Sequence, residues 1–372
     1  MSATQLYICC GSGGVGKTTT SAAFALQLAL GGRRVAVLTI DPARRLADSL
    51  AVGPLGNEPQ AVPLERLNPV PGGQLDGMML DMKATFDDVV RRFAPDAESR
   101  DRILQNRYYR FVSTRLAGSH EYMAMERIFA LYESGQYDAV VLDTPPTRHA
   151  LEFLKAPERM SNLMDEGVMH WLSLPRDSFG FRALERGSEA VVSVLKRLIG
   201  GETIEEIAEF FHVFQGMWSG FRERSVQVRA LLRGPNTRFL LVTTPAPAAR
   251  AEAQEFVQLL RRDGLPFGGF FVNRVLPTPT TDQALRADLL PERPEAIPQP
   301  AWAQICAGVR QATVVQARLA SSEAPALAEL RREAGGAPLW TLPEQDADVH
   351  SLEALAAVSA LLAPAVAQLS RR

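Results

Sequence analysis

The sequence predicts an α/β fold: a mainly parallel, doubly wound sheet with an inserted all-helical subdomain. Three observations lead there. Short apolar runs alternate with longer stretches of helical period, the pattern of strands joined by right-handed crossovers. A glycine-rich loop lies between the first run and the first helix. The alternation then stops between about residues 157 and 235, where helical period replaces strand signals.

In chain order, "LYICC" (6–10) is the first strand, and a helix follows from about Lys17. Further strands are "RRVAVLTI" (33–40), "DGMMLDM" (76–82), "DAVVLDT" (138–144), "RFLLVTT" (238–244), "GGFFVNRV" (268–275) and "PLWTLP" (338–343). Proline-rich stretches at 52–73 and within 276–300 read as connections, because proline removes a donor and steers the preceding residue away from helix. The expected division is a core of residues 1–156 and 236–372 with an insertion of residues 157–235. Within the insertion, "TIEEIAEFFHVFQGMWSGF" (203–221) opens on a capping box of Thr203 and Glu206. It aligns Ile207, Phe210, Phe211, Phe214, Met217, Trp218 and Phe221 along one stripe.

Composition excludes several classes. With 372 residues, 46% of them hydrophobic and 22% charged, the chain can bury a sizeable core and is neither disordered nor fibrous. A net charge of −2 supplies no basic field, so no nucleic-acid partner is expected. Cys9 and Cys10 are adjacent and Cys306 is remote, which makes neither a disulfide framework nor C-x-x-C spacing. No zinc is therefore expected, and a reducing, cytoplasmic setting fits. The N-terminus lacks a signal-peptide pattern, and no apolar run reaches the roughly 18 residues of a membrane span, so no stable membrane insertion is expected.

"GSGGVGKT" (11–18) matches G-x-x-x-x-G-K-[ST] between a strand and a helix, which makes the fold that of a P-loop NTPase. Gly11, Gly13, Gly14, Val15 and Gly16 are expected to turn backbone N–H groups inward as an anion nest, aided by the dipole of the following helix. Lys17 should reach the β- and γ-phosphates, the Thr18 hydroxyl should ligate Mg²⁺, and Thr19 completes the nucleotide-binding set. Asp143, ending an apolar strand, is the expected Walker B carboxylate, holding Mg²⁺ through water. ATP and Mg²⁺ are thus the expected cofactors.

Further segments add a resemblance. With "LTIDPARRLADSL" (38–50), "DTPPTRHALEFLKAP" (143–157), "FFVNRV" (270–275) and "LWTLPEQDADVHSLEAL" (339–355), the chain resembles the arsenite-pump and tail-anchored-protein-targeting ATPase family. That family belongs to the deviant-Walker-A class, which also contains the partition and division-site ATPases. The resemblance spans nearly the whole chain. It implies that the first two segments are switches, that Asp41 positions the attacking water, and that Asn273 reads the adenine edge. Because the insertion follows them in sequence, Pro145, Pro146 and Thr147 are expected to let the second switch sense the γ-phosphate and pass its state to the insertion. A carboxylate that orients water, with charges that neutralise phosphates, supplies most of what phosphoryl transfer needs.

The sequence departs from the family at Ser12, where a lysine normally reaches across a dimer to the partner's phosphates. Three readings follow: slow turnover with the dimer kept by other contacts, an arginine substitute (Arg44, Arg45 or Arg148), or a paralogous subunit that supplies the lysine. The expected assembly is accordingly a homodimer or a heterodimer with a paralogous ATPase. Arsenite transport is disfavoured, since a soft metalloid needs converging thiolates and consecutive strand residues such as Cys9 and Cys10 face opposite ways. Met160, Met164, Met169 and Met217 give the insertion an adaptable apolar character, and the resemblance implies a groove there for a client's hydrophobic helix. The leading reading is an ATP-driven switch of the targeting type with slow turnover. The alternative is a positioning or scaffold ATPase acting on membrane or nucleoid partners. Against it, the tail (351–372) has only Arg371 and Arg372 as basic residues.

Overall fold

Strands that read as unbroken apolar runs must be covered on both faces, and the structure, a computed structural model, meets that demand. It describes residues 4–41, 44–106, 109, 119–146, 218–277 and 292–370. Eight strands form one sheet: β1 (Gln5–Gly11), β2 (Arg34–Thr39), β3 (Gln60–Ala61), β4 (Gln74–Met79), β5 (Ala139–Asp143), β6 (Thr237–Thr243), β7 (Phe267–Val275) and β8 (Leu339–Pro343). Their spatial order is β3-β4-β2-β5-β1-β6-β7-β8, parallel throughout except for β3, which runs antiparallel to β4. All seven sequence-read strands are present. The two-residue β3 lies in a proline-rich stretch read as a connection.

The described helices, in order, are α1 (Lys17–Leu30), α2 (Arg45–Leu50), α3 (Met82–Phe93), α4 (Ala97–Gln105), α5 (Ser119–Ser134), α6 (Trp218–Arg233), α7 (Pro247–Arg262), α8 (Gln299–Ala334), α9 (Leu352–Leu361) and α10 (Ala363–Leu369). Alternation along β1 sorts the core into two layers. Tyr7 and Cys9 join the face covered by α1, α2, α9 and α10, while Leu6, Ile8 and Cys10 join the face covered by α5, α6, α7 and α8. On the first face Tyr7 meets Phe24 edge-on at 5.0 Å between ring centroids, and Phe271 stacks near Trp340 at 5.1 Å.

The chain moves from β1 outward to β2 and β4, returns through β5, and then builds β6, β7 and β8 on the other side. This reversal places a crevice beyond the carboxyl end of β1, where open parallel sheets bind ligands. The glycine loop occupies that crevice. Among the described residues, no single helix is long and apolar enough to cross a membrane. The apolar tail segments α9 and α10 bend by 58° at their junction and pack into the core through Leu352, Leu355, Leu362, Ala365 and Leu369. Of the expected insertion, α6 is described. The capping box and the stripe from Ile207 to Met217 lie outside the described residues, as do Met160, Met164 and Met169.

Candidate functional site

The loop's shape follows from its glycines. Gly14 and Gly16 take left-handed φ values of 78° and 84°, which side-chain-bearing residues rarely adopt. Gly16 caps α1, and a Cβ there would lie 2.3 Å from the Asn273 side-chain nitrogen. A methyl group at Gly11 would collide with the Val242 carbonyl oxygen at the same 2.3 Å, so β1 and β6 close tightly beneath the loop. Above Gly13 and Gly14 there is open space. Val15 is buried, and its carbonyl accepts from Asn273 Nδ2 at 2.9 Å, which ties the loop to β7.

Beside the loop stands one shared carboxylate. Asp143, 1% exposed at the end of β5, accepts through Oδ2 from the Thr18 hydroxyl at 2.7 Å and from the Thr39 hydroxyl at 3.0 Å. Thr39 in turn accepts from the backbone N–H of Asp41 at 3.2 Å. The other carboxylate oxygen, Oδ1, is buried without a hydrogen-bond partner among the described residues. Burial pushes the Asp143 pKa up, opposed first by the positive charge of Lys17 and then by the two hydroxyls. Such an orphaned acceptor next to a threonine hydroxyl fits a hydrated divalent cation completed by phosphate oxygens. Among the described residues no group of three or more His, Cys, Asp or Glu could hold a metal by itself. Any magnesium here therefore depends on nucleotide and water for most of its shell.

Two cavities flank the loop. The smaller, ≈ 350 Å³, is lined by Gly16, Lys17, Thr18 and Thr19 on one side, by Arg45, Asp48 and Ser49 of α2, and by Asp348, Val349 and His350 after β8. The larger, ≈ 970 Å³, opens between Ser12–Val15, the start of α7 and the middle of α8. Ser12, Gly14 and Arg274 line both.

The structure thus brings together Gly11, Gly13, Gly14, Val15, Gly16, Lys17, Thr18, Thr19, Asp143 and Asp41. Asn273 belongs to the same assembly, with its amide on the loop backbone, and it lines neither cavity. Thr144 anchors the segment that leaves β5 by donating its hydroxyl to the Cys9 carbonyl at 2.9 Å, and Pro145 and Pro146 follow half-buried and exposed. Thr147 and Arg148 lie outside the described residues. Of the other candidate arginines, Arg45 lines the smaller cavity, whereas Arg44 lines neither. Cys9 and Cys10 are fully buried on opposite faces, and burial pushes both thiols up to about 12. Neither is a ready thiolate. Sequence reasoning passed over Thr39, whose signal is a polar residue closing an apolar strand two positions before Asp41. It also passed over Arg274, Asp48, Asp348 and His350.

Comparison with known proteins shows which family the chain belongs to. A family model described as anion-transporting ATPase matches residues 4–335. ATPase GET3B of Arabidopsis thaliana is 26% identical over 309 residues, covering 75% of this chain and 66% of that protein. ATPase ARSA1 of Chlamydomonas reinhardtii is 27% identical over 299 residues, covering 74% of this chain and 36% of its own length. A protein of Aquifex aeolicus named for an arsenical pump-driving ATPase is 26% identical over 285 residues, covering 74% of this chain and 82% of its own. The match therefore spans less than two thirds of the first two relatives.

Proposed function

Because the chain belongs to the family of anion-transporting ATPases, we propose that it is an ATP-hydrolysing switch that couples the state of its nucleotide to a helical subdomain. In this reading residues 1–156 and 236–372 are the ATPase core and 157–235 the helical insertion. The nucleotide's phosphates lie in the nest of Gly11–Gly16, with Lys17 at the β- and γ-phosphates and the nucleoside directed along the smaller cavity. Thr18, and Asp143 through water, hold Mg²⁺, which when bound draws charge from the transferring phosphoryl group. Asp41 orients the attacking water, its backbone held by Thr39. Asn273 positions the loop through the Val15 carbonyl, and since it lines neither cavity its role at the adenine edge rests on the family resemblance alone.

One observation carries the reading: a single oxygen, Asp143 Oδ2, accepts from both the loop and the strand that leads into the first switch. A change of charge at the phosphates therefore reaches the Asp41 backbone through three hydrogen bonds, Thr18 to Asp143, Thr39 to Asp143 and Asp41 N–H to Thr39. Pro145, Pro146 and Thr147 follow Asp143 after Thr144 and precede the insertion in sequence, which gives the second switch its route outward.

The protein acts as a dimer, with itself or with a paralogous ATPase, in the cytoplasm, and the insertion shelters a hydrophobic helix of a client. Transport of arsenite is disfavoured, since the two adjacent thiols are buried apart. The positioning-ATPase reading loses its membrane element, because the apolar faces of α9 and α10 are spent on the core.

The test is phosphate release and nucleotide-dependent proteolysis. Wild-type protein should hydrolyse Mg-ATP slowly, and Asp41→Asn should bind ATP while losing turnover. Cleavage within 157–235 should differ between ATP and ADP. Identical cleavage patterns would remove the coupling, and full turnover by Asp41→Asn would remove the catalytic assignment.

A further inference from the structure

The β7–β8 pairing carries an irregularity at the functional end of the sheet. From Val272 to Val275 strand β7 advances three residues while β8 advances two, from Thr341 to Pro343. Such bulges are rare between parallel strands, and beside active sites they re-aim side chains. The bulge holds Asn273 and Arg274. Asn273 pins it to the loop through the Val15 carbonyl. Arg274 has φ 57°, a left-handed conformation that glycine adopts freely and other residues adopt at a cost. The chain keeps a long, charged side chain at a position where backbone geometry favours none.

That side chain is exposed and has no hydrogen-bond or ion-pair partner among the described residues, although Glu323 and Glu344 line the same cavity. It lines both cavities, and the residues it shares this with are Ser12 and Gly14 of the phosphate loop. Ser12 brings no charge there. Arg45 lines the smaller cavity only and sits on α2.

We propose that Arg274 supplies, from the same chain, the second cation of the phosphate site, contacting the terminal phosphate of ATP where Ser12 leaves none. The proposal rests on ATP as the loop's ligand. A planar guanidinium can meet two phosphate oxygens at once, and the bulge fixes its root relative to the loop.

The experiment measures ATP and ADP binding, with Mg²⁺, together with phosphate release, for wild type, Arg274→Ala, Arg274→Lys, Ser12→Lys and the Ser12→Lys/Arg274→Ala pair. Arg274→Gly, which relieves the backbone, serves as the folding control. Arg274→Ala and Arg274→Gly should both lower ATP affinity about tenfold or more and ADP affinity far less. Arg274→Lys should fall between. Ser12→Lys should restore ATP affinity and turnover in the Arg274→Ala background. Unchanged ATP affinity in Arg274→Ala, or equal losses for ATP and ADP, would overturn the proposal while leaving the ATPase reading intact. A wild-type chain that binds no ATP would overturn both.

Discussion

Thr39→Val tests the link between loop and switch with almost no change of volume. Thr39 is 1% exposed, so valine fills the same space and only the hydroxyl is lost. That hydroxyl donates to Asp143 Oδ2 at 3.0 Å and accepts from the Asp41 N–H at 3.2 Å. A hydrogen bond to a charged acceptor contributes about 1.5–3 kcal/mol, and a neutral one about 0.5–1.5 kcal/mol. Because Asp41 is half-buried and its N–H can recover water, the smaller figure applies at its low end, for a total of roughly 2–4 kcal/mol. Urea unfolding without nucleotide reads this loss. Thr39→Ser keeps the hydroxyl and gives up one methyl group, about 1 kcal/mol. Turnover should fall in Thr39→Val by roughly tenfold to a hundredfold, the usual cost of misplacing a catalytic group by an ångström. Thr39→Ser should stay near wild type. A Thr39→Val protein with wild-type urea midpoint and wild-type phosphate release would refute the relay.

Two further predictions follow from buried charges. Asp143 has a folded pKa raised by burial above its ordinary value of 3.8, so the folded protein holds the proton more tightly than the unfolded chain. Its contribution to stability is present below that ordinary value and is lost as pH rises through the folded pKa. The nucleotide-free urea midpoint of wild type should therefore decline relative to Asp143→Asn from about pH 4 upward, and curves that stay parallel would contradict the assignment. On the opposite side of the sheet, Arg224 of α6 donates to the buried Glu126 of α5 at 2.9 Å and lies 4.0 Å from the Phe129 ring centroid. Arg224→Met leaves the buried Glu126 charge with only the half-exposed Arg92, 3.7 Å away, and should cost up to about 3–5 kcal/mol in chemical denaturation, most of it recovered by adding Glu126→Leu. A loss below about 1 kcal/mol would show that the pair is solvated.

The strands were legible because a sheet covered on both faces leaves unbroken apolar runs, and "VVLDT" or "RFLLVT" can hardly be anything else. The loop was legible because its glycines and Lys17 form a spaced pattern between a strand and a helix. Thr39 was not, since one polar residue at a strand end has many explanations until Asp143 is seen 3.0 Å away. The bulge at Asn273 and Arg274 was invisible for a related reason: register belongs to a pair of strands, and one strand's sequence does not contain it. Helix α8 continues through Pro325 after a proline-rich approach, so local punctuation argued against a 36-residue helix that the packing of Leu330 and Ala334 on the sheet upholds. Nearness in sequence to the switch-like segments points to Arg44, Arg45 or Arg148 as a cation for the site. The sheet brings Arg274 to Ser12 from more than two hundred residues away.

The position of Ser12 decides what its missing charge can affect. Asp143, Thr18, Thr39 and Asp41 form their relay on the inner side of the loop, and Ser12 takes no part in it. Asp143 carries the cost of burial with Oδ1 unpartnered among the described residues, and under the proposed function a cation bound with nucleotide would relieve that cost. Under the proposed function that relief would pass to Asp41 through Thr39 and to the segment after β5 through Thr144, which is bonded back to β1. None of these steps needs a lysine at position 12. Ser12 instead lines both cavities together with Gly14 and Arg274, so a charge introduced there acts on what those cavities hold. Restoring Ser12→Lys should change how tightly ATP and a partner are held while leaving the urea-measured energy of the Thr39–Asp143 contact as it was. Coupling between those two energies in a double-mutant cycle of Ser12→Lys with Thr39→Val would mean that position 12 and the relay act as one unit.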